Sequence, residues 1–141
     1  MWLILRDIGT NPDRASRSVV TTSMAIGGGG WTPEAARNDA KSQLLYRNDL
    51  RALANLGVPF VMASGNDAKK PNQSDVDQLP MVLQDDDIPL IIVGSSDWDG
   101  KRADFSQAGP LITIYGPGVD IDCQTKTDKT KATVSGSSLG K

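Results

Sequence analysis

Residues 57–67 read Gly57-Val58-Pro59-Phe60-Val61-Met62-Ala63-Ser64-Gly65-Asn66-Asp67, and their reading decides the fold. A glycine stops what precedes it, an apolar run of strand length follows, and a Ser-Gly-Asn-Asp turn closes it. The segment before Gly57 is helical. Thr32-Pro33-Glu34 supplies an N-cap, a first-turn proline and a first-turn acid, and Ala35, Ala36, Ala40, Leu44, Leu45, Leu50, Leu53, Ala54 and Leu56 recur at helical spacing. This predicts one helix of about 24 residues, roughly 36 Å long. Ahead of it, residues 18–26 are rich in β-branched side chains and run into four glycines, Gly27 to Gly30, which predicts a buried strand. Strand, helix and strand make a βαβ unit, with two parallel strands joined by a crossover.

The same pattern extends outward. Residues 88–94 and 111–115 are further apolar runs and read as a third and fourth strand, with residues 119–123 a short fifth. Asp97 to Gly100 is a turn. Residues 65–87 are dense in Asn, Asp, Gln, Lys and Pro and read as surface loop or weak helix, with at most a helical piece near residues 79–83. Residues 2–8 have helical spacing that ends before Asn11-Pro12. The expected architecture is α/β, a mostly parallel sheet with flanking helices, in one unit over residues 1–141.

Composition narrows the function. The chain has 141 residues, no histidine, one cysteine and a net charge of −2. No Ser-His-Asp or Cys-His unit can be completed within it, and no histidine-based metal site can form. With no basic run longer than a lysine pair, the phosphate-neutralising patch of a nucleic-acid binder is missing. The longest wholly apolar stretch is about six residues against the roughly 20 that a spanning helix needs. Neither nucleic acid nor membrane is an expected partner. Cys123 alone forms no internal disulfide.

Three glycine-containing loops follow predicted strands, at the sheet end where open α/β folds place their sites. Gly27 to Gly30 lacks the Lys-Ser/Thr of a phosphate cradle and reads as a flexible strand exit. Ser64-Gly65-Asn66 sets an amide that can donate to a developing oxyanion, although Gly-Asn-Asp is also ordinary turn chemistry. Ser135-Gly136-Ser137-Ser138-Leu139 places a serine after a Gly-Ser pair and before apolar residues, as a nucleophile at a helix start would be placed; alone it reads as loop.

In order, these pieces look different. Ser23-Met24-Ala25-Ile26-Gly27-Gly28, a long helix, then residues 57–67, resemble the central part of the subtilisin-like serine proteases, the subtilases. Residues 91–97, 102–110 and 116–121 are similar to the family's next three blocks. Ser135 to Leu139 falls where the family has its Gly-Thr-Ser nucleophile motif. The resemblance implies that Ser138 is the nucleophile and Asn66 the oxyanion-hole side chain, with the Ser138 backbone N–H as second donor. It implies that Ala25, Ile26 and Gly27 form the edge that pairs with an extended peptide, and that Ala63, Ser64 and Gly65 line one wall of the primary specificity pocket. Main-chain pairing suits an enzyme that accepts many sequences.

Two departures stand out. Ser137 replaces the family's usual Thr, and Gly140-Lys141 replaces its small-residue and Pro continuation. The family's Asp block and His-Gly block match nothing here. The expectation is therefore an incomplete subtilisin-like catalytic domain, holding the nucleophile and oxyanion donor but not the base. The expected function is endopeptidase chemistry in a longer parent, with this chain inactive alone. The alternative is a degenerate or truncated protease-like domain acting as a binding module. Expected partners are a peptide or protein substrate and either the missing catalytic half or a second copy of the chain. The resemblance implies secretion and no catalytic cofactor; a structural calcium fits the family, with no site identified. Asp85-Asp86-Asp87 reads as a solvated turn, Asn72-Gln73-Ser74 as a glycosylation acceptor in a eukaryotic secretory route only, Cys123 as half-buried, and Trp31 and Trp98 as packed over loops.

Overall fold

The chain opens on two helices, α1 (Trp2–Gly9) and the short α2 (Pro12–Ala15); the computed structural model describes residues 2–26, 29–124 and 131–141. Pro12 has no N–H to offer α1 and starts α2 at its first helical position. Ile8 and Ala15 are buried, whereas Leu3 and Ile4 remain exposed.

The main sheet has four parallel strands in chain order: β1 (Val20–Thr22), β2 (Phe60–Ala63), β3 (Leu90–Ser96) and β4 (Ile114–Pro117). The central pair is apolar on both faces, as a strand covered from two sides must be: Met62, Ile92 and Val93 are buried with Phe60 and Leu90. The buried strand expected over residues 18–26 is corrected. β1 covers three residues, and Val19 and Met24 are 63% and 70% exposed. It lies at the sheet edge, paired to β2 only, and among the described residues no other strand pairs with it.

The single long helix is also corrected. α3 (Pro33–Asn38) begins at Thr32, whose hydroxyl accepts the Ala35 N–H at 3.1 Å. It ends at Asp39, where the backbone is extended, and the Asp39 carboxylate accepts the Ser42 N–H at 2.6 Å to cap α4 (Ala40–Ser42). That bond holds the Asp39 carboxyl below the usual range. α4 continues through a π turn, Gln43–Arg47, into α5 (Asn48–Asn55), and Gly57 at φ +71° ends the run. Asn38 and Asp39 break the helix because their short polar side chains compete for backbone N–H groups and favour caps over helix interiors. Ala36, Leu50 and Leu53 face the core. Leu44 and Leu45 do not: with Ile4, Val20, Met24 and Ile26 they line an open apolar groove of about 610 Å³ beside β1.

Residues 65–87 differ most from expectation. Residues 76–83 are buried, and the 3₁₀ turn Met81–Leu83 is almost wholly excluded from water. Val76, Leu79 and Met81 to Leu83 join the core beneath the sheet, while the polar residues between them find partners, so hydrophilic composition masks an inner layer. β4 starts three residues later than the run 111–115 suggests, because Leu111 and Ile112 pack against the core first. β5 (Ile121–Gln124) is not a fifth strand of the sheet. It pairs antiparallel with β6 (Lys131–Val134) as a separate hairpin, in which Cys123 is half-buried. Trp31 packs partly against the core; Trp98, expected to pack, is 71% exposed. Of the acidic triplet, Asp86 and Asp87 are solvated, but Asp85 is held by Arg47 at 2.8 Å.

Candidate functional site

The loops after β2 and β4 and the segment after β6 meet at the carboxyl end of the sheet. Backbone contacts lay that last segment down. Gly136 N–H donates to the Gly118 carbonyl at 2.8 Å, and Gly118 N–H donates to Ser96 O at 3.0 Å. A methyl group on Gly116 would strike the Gly140 carbonyl, and one on Gly118 would sit 2.6 Å from Gly136 O. The Gly116-Pro117-Gly118 motif thus has a steric reason: two backbones pass where a Cβ does not fit. The result is a turn at Ser137 to Leu139 in which Ser138 is exposed and Ser137 is buried.

Asn66 is fixed from this turn. Its Oδ1 accepts the Ser137 N–H at 2.8 Å, and the Ser137 hydroxyl accepts the Gly65 N–H at 3.1 Å. Ser137 therefore grips the strand-exit turn at two successive residues. An amide whose oxygen takes a backbone N–H has its NH₂ left to donate elsewhere. Ser138, Asn66, Ala25, Ala63 and Gly65 all line one cavity of about 220 Å³, together with Ser23, Asp67, Gln78, Met81 and Ser137. An exposed hydroxyl and an amide with its NH₂ uncommitted to the Ser137 bond, on one small cavity, are the parts that acyl transfer needs for attack and for holding the developing oxyanion.

The remaining expected residues fall elsewhere. Ile26 lies on the apolar groove and donates its N–H to Leu79 O at 2.9 Å. Ser64 is fully buried, with its hydroxyl 3.3 Å from that of Ser106. Gly27 lies outside the described residues.

Sequence reasoning missed the supports. Gln107 is fully buried below Gly65; its Nε2 lies 3.0 Å from Gln73 O, 2.8 Å from Asp75 O and 2.7 Å from Asp77 Oδ1. Asp77, also buried, accepts the Gly30 N–H on Oδ2 at 2.7 Å. These bonds tie the strand exit near residue 30, the loop 73–77 and the Gly65 turn into one frame. Ser106 does the same behind the wall, accepting the Ser95 N–H at 2.9 Å. The only signal was position: Gln107 sits in one of the blocks on which the resemblance rests. Among the described residues, no group of three or more His, Cys, Asp or Glu side chains could hold a metal ion.

The model of the peptidase S8, or subtilase, family matches residues 12–140. A cuticle-degrading serine protease of Arthrobotrys oligospora is 31% identical over 128 residues, which cover 90% of this chain and 26% of that protein. Subtilisin-like protease 6 of Arthroderma gypseum is 29% identical over 122 residues, 82% of this chain and 28% of that protein. The chain thus spans about a quarter of the length of the curated relatives it matches. Among solved structures, a cold-adapted subtilisin-like serine proteinase superposes with a TM-score of 0.58 at 20% identity, covering 96% of this chain and 43% of that one. The prenylagaramide maturation protease PagA superposes with the same score and identity, covering 45% of its chain.

Proposed function

Because the chain belongs to the subtilase family, we propose that it supplies the nucleophile and oxyanion parts of a serine endopeptidase. Ser138 attacks the scissile carbonyl to form an acyl-enzyme. The Asn66 Nδ2 and the Ser138 backbone N–H stabilise the oxyanion, and a histidine outside these 141 residues takes the hydroxyl proton. One observation carries the reading: Ser138 and Asn66 line the same cavity and are locked together through Ser137. The edge at Ala25 and Ile26 receives extended peptide backbone, and Ala63 and Gly65, which line the cavity, wall the specificity pocket. Secretion belongs to this reading; among the described residues no helix is long and apolar enough to cross a membrane.

With no histidine, the chain alone lacks the general base, and loss of triad members leaves only about 10³–10⁴ over water. A fluorophosphonate probe is expected to leave the 141-residue chain unlabelled. It should label Ser138 in a longer product that adds the family's Asp and His blocks. Labelling of the short chain that Ser138→Ala abolishes would show a base within these residues. An unlabelled long product would favour the binding-module alternative.

The unpaired edge of β1 and the adjacent apolar groove bear on partners. Exposed strand edges and apolar patches of this kind recruit other chains. The short chain should self-associate, and a polypeptide carrying the Asp and His blocks should replace the self-contacts. Sedimentation velocity checks this: a cooperatively melting monomer with no concentration dependence contradicts it.

A further inference from the structure

The glycine run Gly27 to Gly30 follows Ala25 and Ile26, the edge that the protease reading gives to the peptide substrate. Glycine restrains its own backbone less than any other residue, so the bonds at the two ends of the run set where that edge lies. One segment, residues 77–79, holds both ends. Ile26 forms an antiparallel bridge with Leu79 and donates its N–H to the Leu79 carbonyl at 2.9 Å. On the far side, the Trp31 N–H donates to the Asp77 main-chain carbonyl at 2.9 Å, and the Gly30 N–H donates to Asp77 Oδ2 at 2.7 Å. Of these three bonds, only the last is made by a side chain.

That side chain is built into the fold. Asp77 is 8% exposed, and its other oxygen, Oδ1, lies 2.7 Å from the donating Gln107 Nε2. A methyl group on Gly29 would strike Asp77 Oδ2 and sit 2.5 Å from the Gln73 amide nitrogen, so the backbone passes directly over the carboxylate. Each carboxylate oxygen thus has its own N–H donor, and bonds to an ionised acceptor are the strong kind. An asparagine has one acceptor oxygen where the aspartate has two, and cannot serve both donors. Gln107 does not depend on Asp77 alone. Its Nε2 also faces Gln73 O and Asp75 O at 3.0 and 2.8 Å, and its backbone N–H donates to the Gly65 carbonyl at 3.1 Å. Loss of one Asp77 oxygen therefore leaves Gln107 and the Gly65-Asn66 turn braced.

Resting on the protease reading, we propose that Asp77 is a positioning residue, which fixes the substrate-pairing edge at Ala25 and Ile26 separately from the oxyanion turn. Its carboxylate clamps the exit of the edge before a peptide arrives. An extended peptide then pairs with backbone already in place, and affinity is not lost to ordering it. A substrate too short to reach the edge gains nothing from the clamp.

Two measurements on Asp77→Asn test this. In the longer product carrying the Asp and His blocks, kcat/KM is compared for a peptide with four residues on the acyl side and for an acylated single-residue ester with the same acyl-side residue. The variant should lower kcat/KM at least tenfold on the peptide, mainly through KM, and leave the ester within twofold. Equal proportional falls on both substrates would make Asp77 merely structural, and an unchanged peptide value would remove its role; either result overturns the proposal. The second measurement is amide hydrogen exchange in the 141-residue chain, which needs no catalysis. The parent should protect the Gly30 amide. Asp77→Asn should speed its exchange at least tenfold while Trp31, bonded to main chain, stays protected. Exchange at Gly30 in the parent as fast as in an unstructured peptide overturns the clamp without touching the protease reading. If Ser138-dependent hydrolysis is absent for both substrates, the protease reading falls, and the clamp stands or falls on the Gly30 exchange.

Discussion

Replacing Asn66 by leucine in the catalytically complete product should lower kcat by about 10²–10³-fold with little change in KM; in subtilisin, loss of the oxyanion-hole asparagine has a cost of that size. The effect falls on kcat because the donor acts on charge that exists only in the transition state. Asn66 also has a second role here, since its Oδ1 takes the Ser137 N–H at 2.8 Å. Leucine removes both roles at once. Asn66→Asp separates them: the carboxylate keeps an acceptor for Ser137 and loses the donor, and its charge opposes the oxyanion. The aspartate variant should therefore melt within a degree or two of the parent and lose at least as much turnover as the leucine variant. Activity of Asn66→Asp within tenfold of the parent would end the oxyanion assignment. A large fall in melting temperature for leucine alone would measure the clamp on Ser137, for which an unsatisfied buried N–H costs about 1–3 kcal/mol.

The parallel sheet was legible because apolar runs of strand length are bounded by glycine and proline; β2 lies within one such run, and β3 begins in another and extends two residues past it. The ends of the sheet were less so. Residues 18–26 look like an interior strand by composition, yet β1 is a partly exposed edge, because composition records what a strand can bury and not whether a neighbour is present to bury it. The helix break at Asp39 was masked by alanines and leucines that keep helical spacing on both sides of it. Asp77 and Gln78 were read as surface loop or weak helix because they are polar, and Gln107 was assigned to no element. They are buried because each has a partner far along the chain: Gly30 for Asp77, Asp67 for Gln78, and Asp75 and Asp77 for Gln107. Such pairings have no period and leave no local pattern. In the candidate site, Asn66 and Ser138 stood out through their motifs. Ser137, which joins them, stood out only as a departure from the family's usual Thr, since its linking role rests on a backbone N–H and a hydroxyl that accepts the Gly65 N–H.

Gly65→Ala should be among the most damaging single substitutions in the chain, at about 2–5 kcal/mol. Gly65 adopts φ +106°, where an L side chain costs about 1–2 kcal/mol on its own. A methyl placed there would run into Gln107 Oε1. Gln107 is fully buried and its amide already faces Gln73, Asp75 and Asp77, so it has no rotamer to retreat to without breaking those bonds. Overpacking of this sort adds about 1–3 kcal/mol. Gly30→Ala is the control. Its φ is +96°, but a methyl there has nothing within 4 Å, so only the backbone strain of about 1–2 kcal/mol applies. Denaturant melts of both variants separate the two contributions. If Gly65→Ala and Gly30→Ala lose equal stability, Gln107 yields to the methyl and the frame beneath the oxyanion turn is soft. If Gly65→Ala loses more and Gln107→Ala relieves it in the double variant, the buried amide is what holds the Asn66 turn in place against the nucleophile loop.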